Sequence, residues 1–215
     1  MDKEYIIKRT EEYVQQTLEE DKSGHDWAHI ERVRNKALEI GEEEGADLFI
    51  VELGALLHDI ADWKFHDVTE GPRVTREWLE SLEVEEKYIA EVCHIVDNVS
   101  YKGANVECGM KTLEGYVVQD ADRLDSIGAI GIERTFAYGA TKGRPVYDPD
   151  IKPQMHDTFE KYKNAQSTSI NHFYEKLLLI KDRLNTDAAK KIAQPRHEFM
   201  QAYLAQFLGE WEGSV

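Results

Sequence analysis

Asp47-Leu-Phe-Ile-Val-Glu-Leu-Gly-Ala-Leu-Leu-His-Asp-Ile-Ala-Asp62 is an apolar run that stops abruptly in acids and an imidazole. Phe49, Leu53, Leu56, Leu57 and Ile60 recur at helical spacing, and Ile50, Val51, Gly54, Ala55 and Ala61 leave almost no polar face. The stretch therefore reads as a buried central helix. An unpartnered buried carboxylate costs several kcal/mol or is driven to protonate, so His58, Asp59 and Asp62 at the end of such a helix imply a cation, a cleft or both. His58 and Asp59 precede Asp62 by four and three residues, spacings that share a helical face and let the three groups converge.

The flanking sequence is helical on both sides. Residues 4–20 place Ile6, Ile7, Val14 and Leu18 inward. A second helix opens at His25-Asp26-Trp27-Ala28-His29, carries Ile30, Val33, Ala37 and Ile40, and ends at Gly45 as a C-cap. Beyond the central helix, residues 63–72 read as loop. Val74, Trp78, Leu79 and Leu82 mark another helix, and residues 85–98 a further one with Ile89, Val92, Cys93 and Val96 inward. Residues 112–127 are helical, with Leu113, Val117, Ala121 and Leu124 in register around the acidic insertion Gln119-Asp-Ala-Asp-Arg-Leu-Asp125. Gly143, Pro145, Pro149 and Pro153 make residues 139–156 a long loop, either a lid or recognition element or a surface excursion. Two C-terminal helices are expected over 167–185 and 187–208, the second kinked or split at Pro195. No stretch keeps strand alternation, so the expected class is all-α, eight to ten helices in one domain over residues 1–215.

Composition narrows the function. The 215 residues suffice for a substantial core, and 26 Lys plus Arg against 42 Asp plus Glu give a formal charge of −16. That charge disfavours nucleic-acid polymers and anionic membranes, while a local metal and a few cations can still receive a small phosphorylated ligand. With no signal-type N-terminus and no membrane-length apolar run, the expected location is the cytoplasm. Cys93 and Cys108 form no disulfide framework, and Cys93 reads as a packed thiol.

Two imidazoles and two carboxylates, drawn from His29, His58, Asp59 and Asp122, suit a divalent cation with positions left for water and substrate, whereas a closed structural zinc site favours thiolates. The ordered set His29-Ile-Glu-Arg32-Val, Leu57-His-Asp-Ile-Ala-Asp62 and Ala121-Asp-Arg-Leu124 resembles the HD-domain superfamily of metal-dependent phosphohydrolases over nearly the whole chain. Gly24-His-Asp-Trp27 and Asn171-His-Phe-Tyr-Glu-Lys176 are similar to a bacterial and archaeal subgroup of single-domain members, some of them nucleotide phosphohydrolases or pyrophosphohydrolases. The resemblance implies a helical HD-domain bundle and makes His29, His58, Asp59 and Asp122 the metal ligands. It implies one ion, Mn²⁺ first, with Fe²⁺, Mg²⁺, Zn²⁺, Ni²⁺ and Co²⁺ as alternatives. Members with more metals carry an extra pair of neighbouring histidines, where this chain has only His94.

Asp62 falls where several relatives place an acid for proton transfer or water orientation. Asp62 and Lys64 are accordingly the expected catalytic side chains, with Arg32, Lys102 and Arg144 the cations that meet the phosphate. His25 and Asp26 are placed to buttress His29, and Asp120 and Asp125 to stand near the metal or substrate. The expected activity is hydrolysis of a phosphate or pyrophosphate bond in a nucleotide such as a (deoxy)nucleoside triphosphate. The competing reading is a non-catalytic module that senses a nucleotide through the same pocket.

Overall fold

The structure is a computed structural model that describes residues 1–19, 26–60, 70–100, 109–155 and 167–215. Among them are nine α-helices and one 3-10 segment, and no strand. The helices are α1 (Lys3–Leu18), α2 (Trp27–Glu44), α3 (Leu48–Leu57), α4 (Glu70–Ser81), α5 (Glu86–Asn98), α6 (Leu113–Asp125), α7 (Gly128–Thr141), α8 (Ser169–Glu175) and α9 (Asp187–Glu212). A 3-10 segment, Leu177–Arg183, lies between α8 and α9. The chain divides into two compact units, residues 1–101 with 108–122, and residues 102–107 with 123–215.

In the first unit α3 is the axis, packed against α1, α2 and α5. Eight of its ten residues are buried, as expected for a helix with no polar stripe. Its single charged residue, Glu52, is met by Arg34 of α2 at 2.8 Å through Nε, and Arg34 also reaches Glu11 of α1 at 3.0 Å. One arginine thus ties three helices. α2 runs antiparallel to α3, since Gly41 packs on Leu48 and Val51 while Arg34 meets Glu52. Gly45 closes α2 in the left-handed conformation, its amide on the Gly41 carbonyl at 2.9 Å.

α5 and α6 both run parallel to α3. Phe49 meets Tyr88 edge-on at the near end, and Gly54 meets Ile95 further along. Likewise the Asp47 amide donates to Glu114, and Gly54 packs on Val118. The C-terminal ends of α3, α5 and α6 consequently lie together. Gln119 of α6 bridges two of them by donating to the Asn98 carbonyl at 3.0 Å.

The central helix ends at Leu57 rather than continuing to Asp62, and residues 58–60 form a turn. The His58 imidazole accounts for this. Its Nδ1 lies 2.8 Å from the Ala55 carbonyl, the acceptor that the Asp59 amide would use in another α-turn. Leu113, in register with Val117, Ala121 and Leu124, opens α6 and is 38% exposed.

In the second unit α7 packs on α8 and α9, and the 3-10 segment packs on both of the latter. The expected helix over 167–185 is broken at Lys176 (φ −140°, ψ −61°) into α8 and the 3-10 segment. α9 runs unsplit through Pro195. Phe199 of this helix is 52% exposed. Residues 142–155 are fastened to α8. The Ser169 and Ile170 amides donate to the Pro145 and Val146 carbonyls, and Asn171 Nδ2 donates to the Ile151 carbonyl. Glu175, buried, accepts from the Gln154 amide at 2.9 Å and the Ser167 hydroxyl at 2.8 Å. Tyr147 sits edge-on to Phe207 and Trp211. No helix among the described residues is long and apolar enough to cross a membrane.

Candidate metal centre

Two helices and one turn deliver four side chains to one place. Asp26 caps α2 by accepting from the His29 amide at 3.0 Å, which fixes His29 in the first turn. This contact is to the backbone of His29, whereas the sequence suggested a buttress for its ring. α3 brings up His58 and the following Asp59, and the last turn of α6 brings Asp122.

The imidazole nitrogens His29 Nε2 and His58 Nε2 are 3.2 Å apart. Asp59 Oδ2 lies 3.4 Å from the first and 3.5 Å from the second, and Asp122 Oδ1 lies 3.6 and 3.9 Å from them. Among the described residues, His29, His58 and Asp59 form a group whose ligand atoms all fall within 4.8 Å of one another. His29 is fully buried, His58 and Asp59 nearly so, and the Asp122 side chain is 28% exposed. Three of the four side chains are thus buried and the fourth is partly open to solvent.

This arrangement fits a divalent cation on its donor chemistry. His58 Nδ1 can meet the Ala55 carbonyl only as a donor, so the neutral ring carries its lone pair on Nε2, which faces His29 and both carboxylates. Lone pairs and carboxylate oxygens crowded together in a desolvated place repel unless a cation lies among them. Two ligands each about 2.1 Å from one ion stand about 3 Å apart when adjacent, comparable with the observed separations. The grouped C-termini of α3, α5 and α6 add partial negative charge from three helix dipoles.

The other expected site residues divide into two groups. Asp62, Lys64, Lys102 and His25 lie outside the described residues. Arg32 is half-buried one turn along α2 from His29, and Arg144 belongs to the second unit, beside Gly139. Asp125 is not a free carboxylate for the centre, because it is buried and paired with Arg134 at 2.8 Å. Arg123 donates to the Arg183 carbonyl at 2.5 Å. Asp120 is completely buried. On α5, Asn98 Nδ2 donates to the His94 carbonyl at 2.9 Å and lies 3.3 Å from His94 Nδ1. Asn98 and Gln119 joining the ends of α5 and α6 had no signature in the sequence, since both look like ordinary polar residues on helical faces.

Comparison with known proteins identifies the family. The family model for the HD domain matches residues 26–127, a span that contains all four clustered side chains. The Bacillus subtilis protein YpgQ is 37% identical over 196 residues, covering 90% of this chain and 88% of YpgQ. Its crystal structure in complex with ADP superposes with a TM-score of 0.74 at 37% identity, over 95% of this chain and 96% of that one. A Lactobacillus plantarum structure reaches a TM-score of 0.91 at 37% identity, over 99% of this chain and 100% of that one. An HD-superfamily hydrolase from Bacillus thuringiensis is 45% identical with a TM-score of 0.75, over 98% of each chain. By the ordered His, His-Asp and Asp along its helices and by these similarities across nearly its full length, the chain belongs to the HD-domain superfamily.

Proposed function

We propose that this chain is a hydrolase that uses one divalent metal ion to cleave a phosphate or pyrophosphate from a nucleotide, with His29, His58, Asp59 and Asp122 holding the ion. The observation that carries this reading is the four-residue cluster with His58 Nε2 left as a lone-pair donor at its centre. An ion held there would supply Lewis acidity toward a phosphoryl oxygen and acidify a water for attack.

The chain's own residues do the rest. The Ala55 carbonyl fixes the His58 tautomer, and Asp26 fixes the turn from which His29 projects. On this reading Asp62 takes the attacking water's proton, and Lys64 offsets charge at the reacting centre. Arg32, Lys102 and Arg144 neutralise the phosphate chain. Local cations are needed because the protein as a whole is strongly acidic. YpgQ with bound ADP and the hydrolase from Bacillus thuringiensis support a nucleotide as the ligand and hydrolysis as the reaction.

Release of phosphate and pyrophosphate from a nucleotide panel with Mn²⁺, before and after His58→Ala, tests the proposal. The expected result is turnover that is lost on mutation and on chelation. Turnover unaffected by either would refute it. A bound ADP in YpgQ is equally a sensor's ligand, so tight nucleotide binding without hydrolysis under every metal would assign the pocket to sensing.

A further inference from the structure

Within the first compact unit, α6 touches three neighbouring helices through three successive side chains. Val117 stands over Gly41 of α2, where an added Cβ would meet its Cγ1 at 3.7 Å, and Val118 stands over Gly54 of α3, where an added Cβ would meet its Cγ2 at 3.2 Å. Gln119 turns to α5. Its Nε2 donates to the Asn98 carbonyl at 3.0 Å and lies 3.5 Å from the Val99 carbonyl, acceptors of the kind a helix end leaves for side chains to satisfy. All three side chains are at most 1% exposed.

Successive residues of an α-helix point about 100° apart, so Asp122 heads about 40° from Val118 and about 60° from Gln119, in the sector between α3 and α5. Contacts on both sides of that heading set the rotation of α6 about its own axis. The methyls of Val118 can slide on Gly54, whereas the Gln119 amide must point at its acceptors. A side-chain end lies about 5–6 Å from the helix axis, so a rotation of only about 5° moves a carboxylate by about 0.5 Å, the tolerance of a functional centre. Asp122 is the most exposed member of the cluster, its side chain 28% open, and it owes its direction to its helix more than to burial. We propose that Gln119 is a positioning residue for Asp122: by fastening α6 to the end of α5 it holds the rotation at which the carboxylate faces His29 and His58. This rests on the proposed metal site and adds to it a neutral side chain acting through the helix they share.

Calorimetric titration of Mn²⁺ into the metal-free chain tests this directly. Gln119→Met keeps the length of the side chain and removes the donor, and it should weaken Mn²⁺ binding about tenfold, the scale on which loss of a partner that orients a ligand is felt. Val118→Ala loosens the same turn on Gly54 and should weaken binding in the same direction. Glu114→Ala is the control. It also removes a tie between α6 and its unit, the bond from the Asp47 amide at 3.0 Å, but about two turns from Asp122, so it should lower the melting temperature and leave the affinity unchanged. Wild-type affinity in whichever of Gln119→Met and Val118→Ala folds, or an equal loss in Glu114→Ala, would overturn the proposal. Failure of both Gln119→Met and Val118→Ala to fold would assign these contacts to stability alone. His58→Ala serves as the reference. A wild-type protein that binds no Mn²⁺, or binds it equally after His58→Ala, would remove the metal site and the role of Gln119 with it.

Discussion

His58 does two jobs with one ring. By donating to the Ala55 carbonyl it stops the central helix, and by the same bond it leaves Nε2 facing His29, Asp59 and Asp122. The sequence made His58 and Asp59 conspicuous because polar groups on an otherwise apolar helix need a reason to be there. It could not reveal that the helix ends at Leu57, since the terminating contact is a side chain reaching back to a carbonyl. Gly54, one turn earlier, is equally exacting. A methyl there would meet Val118 at 3.2 Å and Ile95 at 3.3 Å, so Gly54→Val should destabilise the protein by about 1–3 kcal/mol, read from urea unfolding. Cys93 is half-buried with its thiol on the Pro72 carbonyl, and burial pushes its pKa up. With Cys108 replaced by serine, Cys93 should react with an alkylating reagent at pH 8 about tenfold more slowly than free cysteine, and should speed up only at more alkaline pH.

Helices with a clear apolar stripe were legible as elements, and α2, α5 and α6 appear close to where periodicity puts them. α7 gave no such signal. Its buried positions are Gly128, Gly131, Thr135 and Gly139, small residues that allow close approach without registering as hydrophobic. The break between α8 and the 3-10 segment was equally hidden, because Leu177-Leu-Leu-Ile180 continues the apolar run without a glycine or proline. Residues 139–156 were read as a long loop, either a lid or recognition element or a surface excursion. Its Gln154 amide is fastened by Glu175, the last residue of α8, whose role no local pattern discloses. Glu175→Ala should leave the Gln154 amide and Ser167 hydroxyl without their acceptor. The expected cost is about 1–3 kcal/mol, with faster hydrogen exchange at Gln154 as the local signature.

At the scale of the molecule, the formal charge of −16 opposes the approach of any anionic ligand. If the ligand is a nucleotide, kcat/KM at fixed free metal should rise as ionic strength goes from about 10 to about 150 mM, where the Debye length falls from about 30 to about 8 Å. A fall would mean that local cations outweigh the surrounding field. Composition disclosed this charge fully. It disclosed no boundary at residues 122 and 123, because the division into compact units falls inside α6, a continuous helix with no glycine or proline at that point to mark a linker.

That helix also acts as a ruler. Val118 is seated on Gly54 and Gln119 on the end of α5, so the angular setting of Asp122, three residues on, is counted from fixed marks. Each added residue rotates the remainder of a helix by about 100°. A single codon inserted after Gln119 would swing Asp122 away from the two imidazoles, while one inserted before Thr112 would lengthen only the approach.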